Sequence, residues 1–205
     1  MSAEPQPSAL RPTGRHEHKA ETRQALIDAA LWLFASKGYE ATSTDEIAEA
    51  AGVSPRTFFR YYETKDRVLF FGGEAFHQAV IRDLPSQPAD LDDFAALAAT
   101  VRSLAPVVEL LKQRIRLYFK AVDASTVLLG QHARAVRDYD EALTQALARR
   151  RGLGTPDDRC RAAARLFTLV SDHAYRAWLT SKRPLNDVMA ECFALFSDVA
   201  APARD

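Results

Sequence analysis

Apolar residues recur at three- and four-residue intervals from Ala20 almost to the end of this chain, and nowhere alternate with polar ones for a sustained stretch. That period belongs to helices buried along one face, so the pattern predicts an all-α protein without a sheet. Leu26, Ala29, Ala30, Leu33 and Phe34 form the first such face. Gly38 stops it. Ser43 followed by Glu46 reads as a capping box that opens a short helix running to Ala51 and Gly52. Ser54-Pro55 repeats the start signal and opens a second short helix carrying "RTFFRYY". Thr64 opens a longer helix to about residue 84, with Gly72-Gly73 as a place to kink.

After the turn-rich "PSQPAD", helices are expected near 91–104, 106–122, 125–151, 156–182 and 185–200, punctuated by Pro106, Gly152–Pro156 and Pro184. That makes about nine helices: a three-helix N-terminal unit, a linking helix, and a larger helical part. With 205 residues, 47% of them apolar, the chain has enough material for a small domain joined to a bigger one. The expected boundaries are 1–18 for a flexible basic arm, 19–72 for the first domain and 73–205 for the second.

Charge changes the picture only locally. The chain carries 27 basic and 27 acidic residues, so no global basic excess announces a nucleic acid. Residues 1–72 hold nine Lys or Arg against ten Asp or Glu. Within "AGVSPRTFFRYYETKDRVL", however, Arg56, Arg60, Lys65 and Arg67 gather around four aromatic rings. A core helix does not want the cations, and a plain surface helix does not want the rings. The conflict resolves by face. Phe58 and Tyr62, four apart, point to the core. Ser54, Arg56, Thr57, Phe59, Arg60 and Tyr61 are left to lie against a polyanion, with Lys65 within reach of the same backbone. Ala48 is small where two helices must cross, and Gly52 suits the tight turn between them.

The stretch "GYEATSTDEIAEAAGVSPRTFFRYYETKDRVLF" resembles the DNA-binding domain of the TetR family of transcriptional regulators. The likeness covers residues 22–71 strongly and the remainder only in length and helical layout. It implies a phosphate contact from Thr44. It also implies base or phosphate contacts from Ser54, Pro55, Arg56 and Thr57, and backbone contacts from Phe59, Tyr61 and Lys65. Phe59 stands where the family more often has Tyr, which removes one hydroxyl. The resemblance further implies a homodimer on double-stranded DNA with a near-palindromic operator, and a repressor released by a small apolar effector.

The larger part has candidates for both further roles. Phe94, Leu97, Leu111, Ile115, Tyr118 and Phe119 serve equally as pocket wall or as core. His132, Tyr139 and His173 are the polar groups able to read a ligand. Phe167, Ala174, Trp178, Val188, Cys192, Phe193 and Phe196 fall on apolar faces of the last two helices and are expected to pair two subunits, with an intramolecular core as the alternative. The segment from "LKQRIRLYFKAVDAS" to "LTQALARRRGL" faintly resembles mycofactocin-type regulators. Arg149–Arg151 read as a solvated helix end or as a dock for ligand phosphates.

Other functions find little support. The chain shows no Gly-rich phosphate loop, no H-E-x-x-H and no nucleophile elbow, so an enzyme is not expected. Cys160 and Cys192 give neither a disulfide framework nor a zinc site, and no cofactor or metal is expected. The N-terminus lacks an apolar signal core and no apolar run reaches membrane-spanning length, which points to the cytoplasm. A DNA-binding regulator switched by a protein partner, or not switched, remains the alternative to an effector-gated one.

Overall fold

The structure, a computed structural model, describes residues 14–200, without the side chains of residues 14–17, 70–72 and 197–200. The expected arm, 1–18, therefore lies mostly outside the described residues. The helices are α1 (Gly14–Lys37), α2 (Thr44–Ala50), α3 (Pro55–Tyr61), α4 (Lys65–Asp83), α5 (Asp93–Leu110), α6 (Lys112–Asp123), α7 (Thr126–Arg150), α8 (Asp158–Thr180) and α9 (Leu185–Ala200), with a 3-10 turn at Leu84–Ser86. No strand occurs among the described residues. The chain divides into two compact units at Leu69 and Phe70. No single helix among the described residues is long and apolar enough to cross a membrane.

The first unit is built by its caps. Gly38 takes a φ of 96°, and its N–H closes α1 on the carbonyl of Phe34 at 3.1 Å. A side chain would strain that left-handed backbone. The Ser43 hydroxyl accepts from the Glu46 N–H, while the Glu46 carboxylate accepts from the Ser43 N–H at 2.9 Å. Lys37 also pairs with Glu46, and together these bonds hold the carboxyl down to about 2. Gly52, at φ 69°, turns the chain from α2 towards α3. Ser54 caps α3 ahead of Pro55, the arrangement its sequence announces. Leu26, Ala30, Phe34, Ile47, Ala48 and Phe58 are fully buried, so the three helices share one core.

The second unit packs α5 to α9 around Leu97, Leu143, Leu147, Phe167, Trp178 and Leu185. Two expectations change here. Pro106 lies within α5 and does not separate two helices. The break falls at Leu111 instead and turns α6 away from α5 by 90°. Tertiary bonds fix that corner. Lys112 donates to the Ser181 carbonyl at 2.8 Å and lies 4.6 Å from the Trp178 ring centre. The Glu109 carboxylate accepts from the Leu185 N–H at 2.6 Å. A proline removes one N–H from the ladder, a loss α5 absorbs with Pro106 on its exposed side.

The second is where the residues expected at a subunit face lie. Phe167, Ala174, Trp178 and Val188 are buried within the single chain. Cys192, Phe193 and Phe196 are half-buried, and both phenylalanines lie against Phe94. The widest apolar stripe of each helix is taken by its own core first. Among the described residues, what α8 and α9 leave outside is a narrower set: Leu166, Leu169 at 65% exposed, and Leu195 at 57%.

Phe58 is the largest buried side chain that α3 contributes. Phe58→Ala should therefore destabilise the first unit by about 3–5 kcal/mol, read as a loss of its denaturation midpoint. Phe59→Ala, one position on but exposed, should change that midpoint by less than about 0.5 kcal/mol.

Candidate nucleic-acid interface and effector cluster

The seven residues of α3 present two faces. Phe58 and Tyr62 point inward, 0% and 5% exposed, with ring centres 6.0 Å apart. Outward lie Ser54, Pro55, Arg56, Phe59 and Arg60, all exposed, with Thr57 and Tyr61 half-buried. Phe59 is 55% exposed and meets Phe58 edge-on. A ring held so far into water by a well-packed neighbour offers a flat apolar surface to sugars and thymine methyls. The Arg60 guanidinium lies 5.4 Å from the Tyr61 ring centre, so its charge stays outward beside a phenol. Thr57 donates its N–H to the Ser54 hydroxyl at 3.1 Å, and the two hydroxyls lie 3.0 Å apart. Thr44, first residue of α2, is half-buried.

Lys65, expected to reach the DNA backbone, is also engaged within the chain. Its ammonium donates to the carbonyls of Tyr39 and Thr42 at 2.6 and 2.7 Å and sits 4.2 Å from the Tyr39 ring centre. Two of its three N–H groups thus tie the start of α4 to the turn between α1 and α2. Burial raises the Tyr39 phenol above its ordinary value, with Asp66 and Glu40 adding to the shift. Lys65 is therefore a structural clamp, with one N–H left for an outside acceptor.

The second unit holds a polar cluster inside an apolar core. On α4, His77 stacks on Tyr139 of α7, with ring centres 3.7 Å apart and planes 8° from parallel. Burial, with some help from His132, holds the His77 imidazole down to about 4. Tyr118 of α6 shares a 2.7 Å hydrogen bond with Nδ1 of His132 on α7. Burial lowers His132 and raises the phenols of Tyr118, Tyr139 and Tyr175, so all of these groups are neutral at pH 7. Beside them Arg176 pairs with Asp123 and Asp172, each at 3.0 Å, and covers the Phe119 ring. Three hydroxyls have no partner there: those of Tyr139, Tyr175 and Ser171. Each such orphan costs about 1–3 kcal/mol.

The expected ligand set thus divides. Tyr118, Phe119, His132 and Tyr139 fall in or beside this cluster. Phe94 lies instead among Phe167, Phe193 and Phe196. Leu97 is fully buried core, Ile115 packs half-buried against that core, and Leu111 is the corner residue between α5 and α6. His173 is exposed on α8. Sequence reasoning missed His77, Ser171 and Tyr175. The available signal was a Ser–Tyr pair four apart on an otherwise apolar helix face, the spacing that brings two side chains together. A shallow cleft lined by Ala98, Arg102, Asn186, Met189 and Phe193 holds none of the expected residues except Phe193. Arg150 donates to the carbonyls of Pro88 and Leu91, and Arg151 pairs with Asp157, so those two act as braces.

Comparison with known proteins fits this architecture. The family model for bacterial regulatory proteins of the tetR family matches residues 26–70. The HTH-type transcriptional regulator TcmR of Streptomyces glaucescens is 31% identical over 171 residues, covering 80% of this chain and 76% of that one. MftR of Mycobacterium tuberculosis, a candidate regulator of mycofactocin biosynthesis, is 28% identical over 167 residues, covering 78% and 81%. Thermus thermophilus FadR, a repressor solved in complex with lauroyl-CoA, superposes with a TM-score of 0.53 at 22% identity. That match covers 89% of this chain and 97% of FadR, and shows a shared fold.

Arg56 and Lys65 should separate contact from clamp. Arg56→Ala should weaken DNA binding by about 1–3 kcal/mol and leave the melting temperature unchanged. Lys65→Ala should lower both, because it strips two carbonyls of their donor. Parallel melting and gel-shift titrations check this. The cluster has its own pH signature. Burial depresses the His77 imidazole, so its neutral form is worth most above the ordinary histidine value near 6.5. Stability of the second unit should fall as pH drops from about 6.5 to about 4, and His77→Phe should flatten that slope in melts taken across the window.

Proposed function

The chain belongs to the TetR family of bacterial regulatory proteins and is a DNA-binding transcriptional regulator, not an enzyme, and from that premise we propose a homodimeric cytoplasmic repressor that a small molecule releases from a near-palindromic operator. One observation carries the DNA half of this reading: the short α3 commits its inward rings to the core and leaves Ser54, Pro55, Arg56, Thr57, Phe59, Arg60 and Tyr61 to an outside partner. Residues 19–72 then read DNA, and residues 73–205 bind effector and pair subunits. Thr44 and the third N–H of Lys65 supply phosphate contacts at the margins.

Support for pairing comes from α8 and α9. Leu166, Leu169 and Leu195 are exposed apolar side chains on the two terminal helices, and a second copy is the partner of matching chemistry. Two-fold symmetry then sets two recognition helices about one DNA turn apart, which makes the operator a near-palindrome. Support for gating comes from the polar cluster. The helix α4 begins at Lys65 of the clamp and carries His77 of the cluster, so one helix holds a residue of each site. A ligand that changes the cluster acts on that helix. A 100-fold loss of operator affinity needs only about 2.7 kcal/mol of coupling.

Leu169→Asp tests the assembly. The parent should sediment as a dimer. The variant should sediment as a soluble monomer with an unchanged helical signal, and its operator affinity should fall on the order of 100-fold once the two half-sites are no longer held jointly. A monomeric parent would contradict the reading.

A further inference from the structure

The helices α5 and α9 meet without closing completely along their length. A cleft of about 120 Å³ lies between them, walled by Ala98 and Arg102 of α5 and by Asn186, Met189, Ala190 and Phe193 of α9. Its walls are fixed. The Glu109 carboxylate accepts from the Leu185 N–H at 2.6 Å and ties the start of α9 to α5. Met189 is only 4% exposed. Phe193 stacks on Phe167 with ring centres 5.8 Å apart and meets Phe94 edge-on at 5.0 Å. The cleft is thus formed before anything enters it, as small-molecule sites usually are. It shares no residue with the cluster around His77 and Tyr139.

Two kinds of surface meet there. The Met189 thioether and the Phe193 ring make the apolar side, and both favour an aromatic ring as neighbour. Arg102 stands exposed at the mouth, and among the described residues it has no ion-pair partner. The Asn186 carboxamide oxygen is buried and unpartnered, so that amide is not committed to the chain's own bonds. A carboxylate at the mouth accepts from the guanidinium in the forked geometry such pairs adopt. Its charge stays beside water and avoids the cost of burial. Size sets the upper limit. An apolar cavity of about 150 Å³ holds one benzene ring, so this cleft takes a single ring and neither a fused ring system nor a long acyl chain.

We propose that the α5–α9 cleft is a binding site for a one-ring aromatic carboxylate, of the benzoate class. The ring lies against Met189 and Phe193, and the carboxylate pairs with Arg102 at the mouth. The site is separate from the effector-gated reading and stands whether or not that reading holds. A ligand so small is held weakly, with a dissociation constant on the order of 0.1–1 mM.

The test uses the full-length protein, with benzoate as the probe and benzamide, its neutral counterpart, as the control. Ligand-observed NMR titrations are run on the parent, Arg102→Gln and Ala190→Leu. Both positions are exposed, so both variants should keep the helical signal and melting temperature of the parent. The parent should bind benzoate about fivefold more tightly than benzamide. Arg102→Gln should abolish that difference by weakening benzoate alone. Ala190→Leu fills the cleft and should weaken both ligands by about tenfold or more. Benzoate affinity unchanged in Arg102→Gln, or binding that survives Ala190→Leu, puts the ligand elsewhere on the protein and overturns the proposal. A parent that binds no benzoate at concentrations on the order of 10 mM overturns it as well.

Discussion

A helix of seven residues does not hold itself together in water, so what α3 shows to the outside depends on how the rest of its unit holds it. Phe58 supplies the anchor. Its complete burial fixes the rotation of the helix, and that rotation decides which side chains face outward. The Ser54 cap and Pro55 fix where the helix begins, and Tyr62 ends it in extended backbone. Arg56, Phe59 and Arg60 are then displayed without any structural duty of their own. The Lys65 clamp completes the frame, since it ties the α1–α2 turn to the start of the next helix. The outward face is a by-product of a core that needs only one face of a short helix.

The second unit shows the opposite economy. Its core is apolar and closely packed, yet it tolerates a stacked neutral histidine and three hydroxyls without partners. Interiors of this kind usually satisfy their polar groups, so the exceptions carry information. The group retains a cost that an apolar substitution would remove.

Much of this was legible in the residues. The caps at Ser43 and Ser54, the positive φ at Gly38 and Gly52, and the inward pair Phe58 and Tyr62 follow from local rules that tertiary context did not override. Pro106 misled because its cost is local, whereas the corner at Leu111 is set by Lys112, Glu109 and their distant partners. Several residues expected at the subunit face lie inward for a related reason. Periodicity finds the broadest apolar stripe of α8, and that stripe, through Phe167, Ala174 and Trp178, belongs to the chain's own core. The engagement of Lys65 and the meeting of His77 with Tyr139 join residues far apart in sequence, and no window of the chain contains them.

The central claim is that α3 reads DNA sequence through its outward face. Selection of bound duplexes from a random library, sequenced for the parent and for Arg56→Ala, tests it most directly. The account predicts that the parent enriches one two-fold symmetric motif, and that the variant loses preference at one symmetry-related pair of positions while keeping the rest. Enrichment of no motif by the parent, or the same motif with every position retained by the variant, would contradict it.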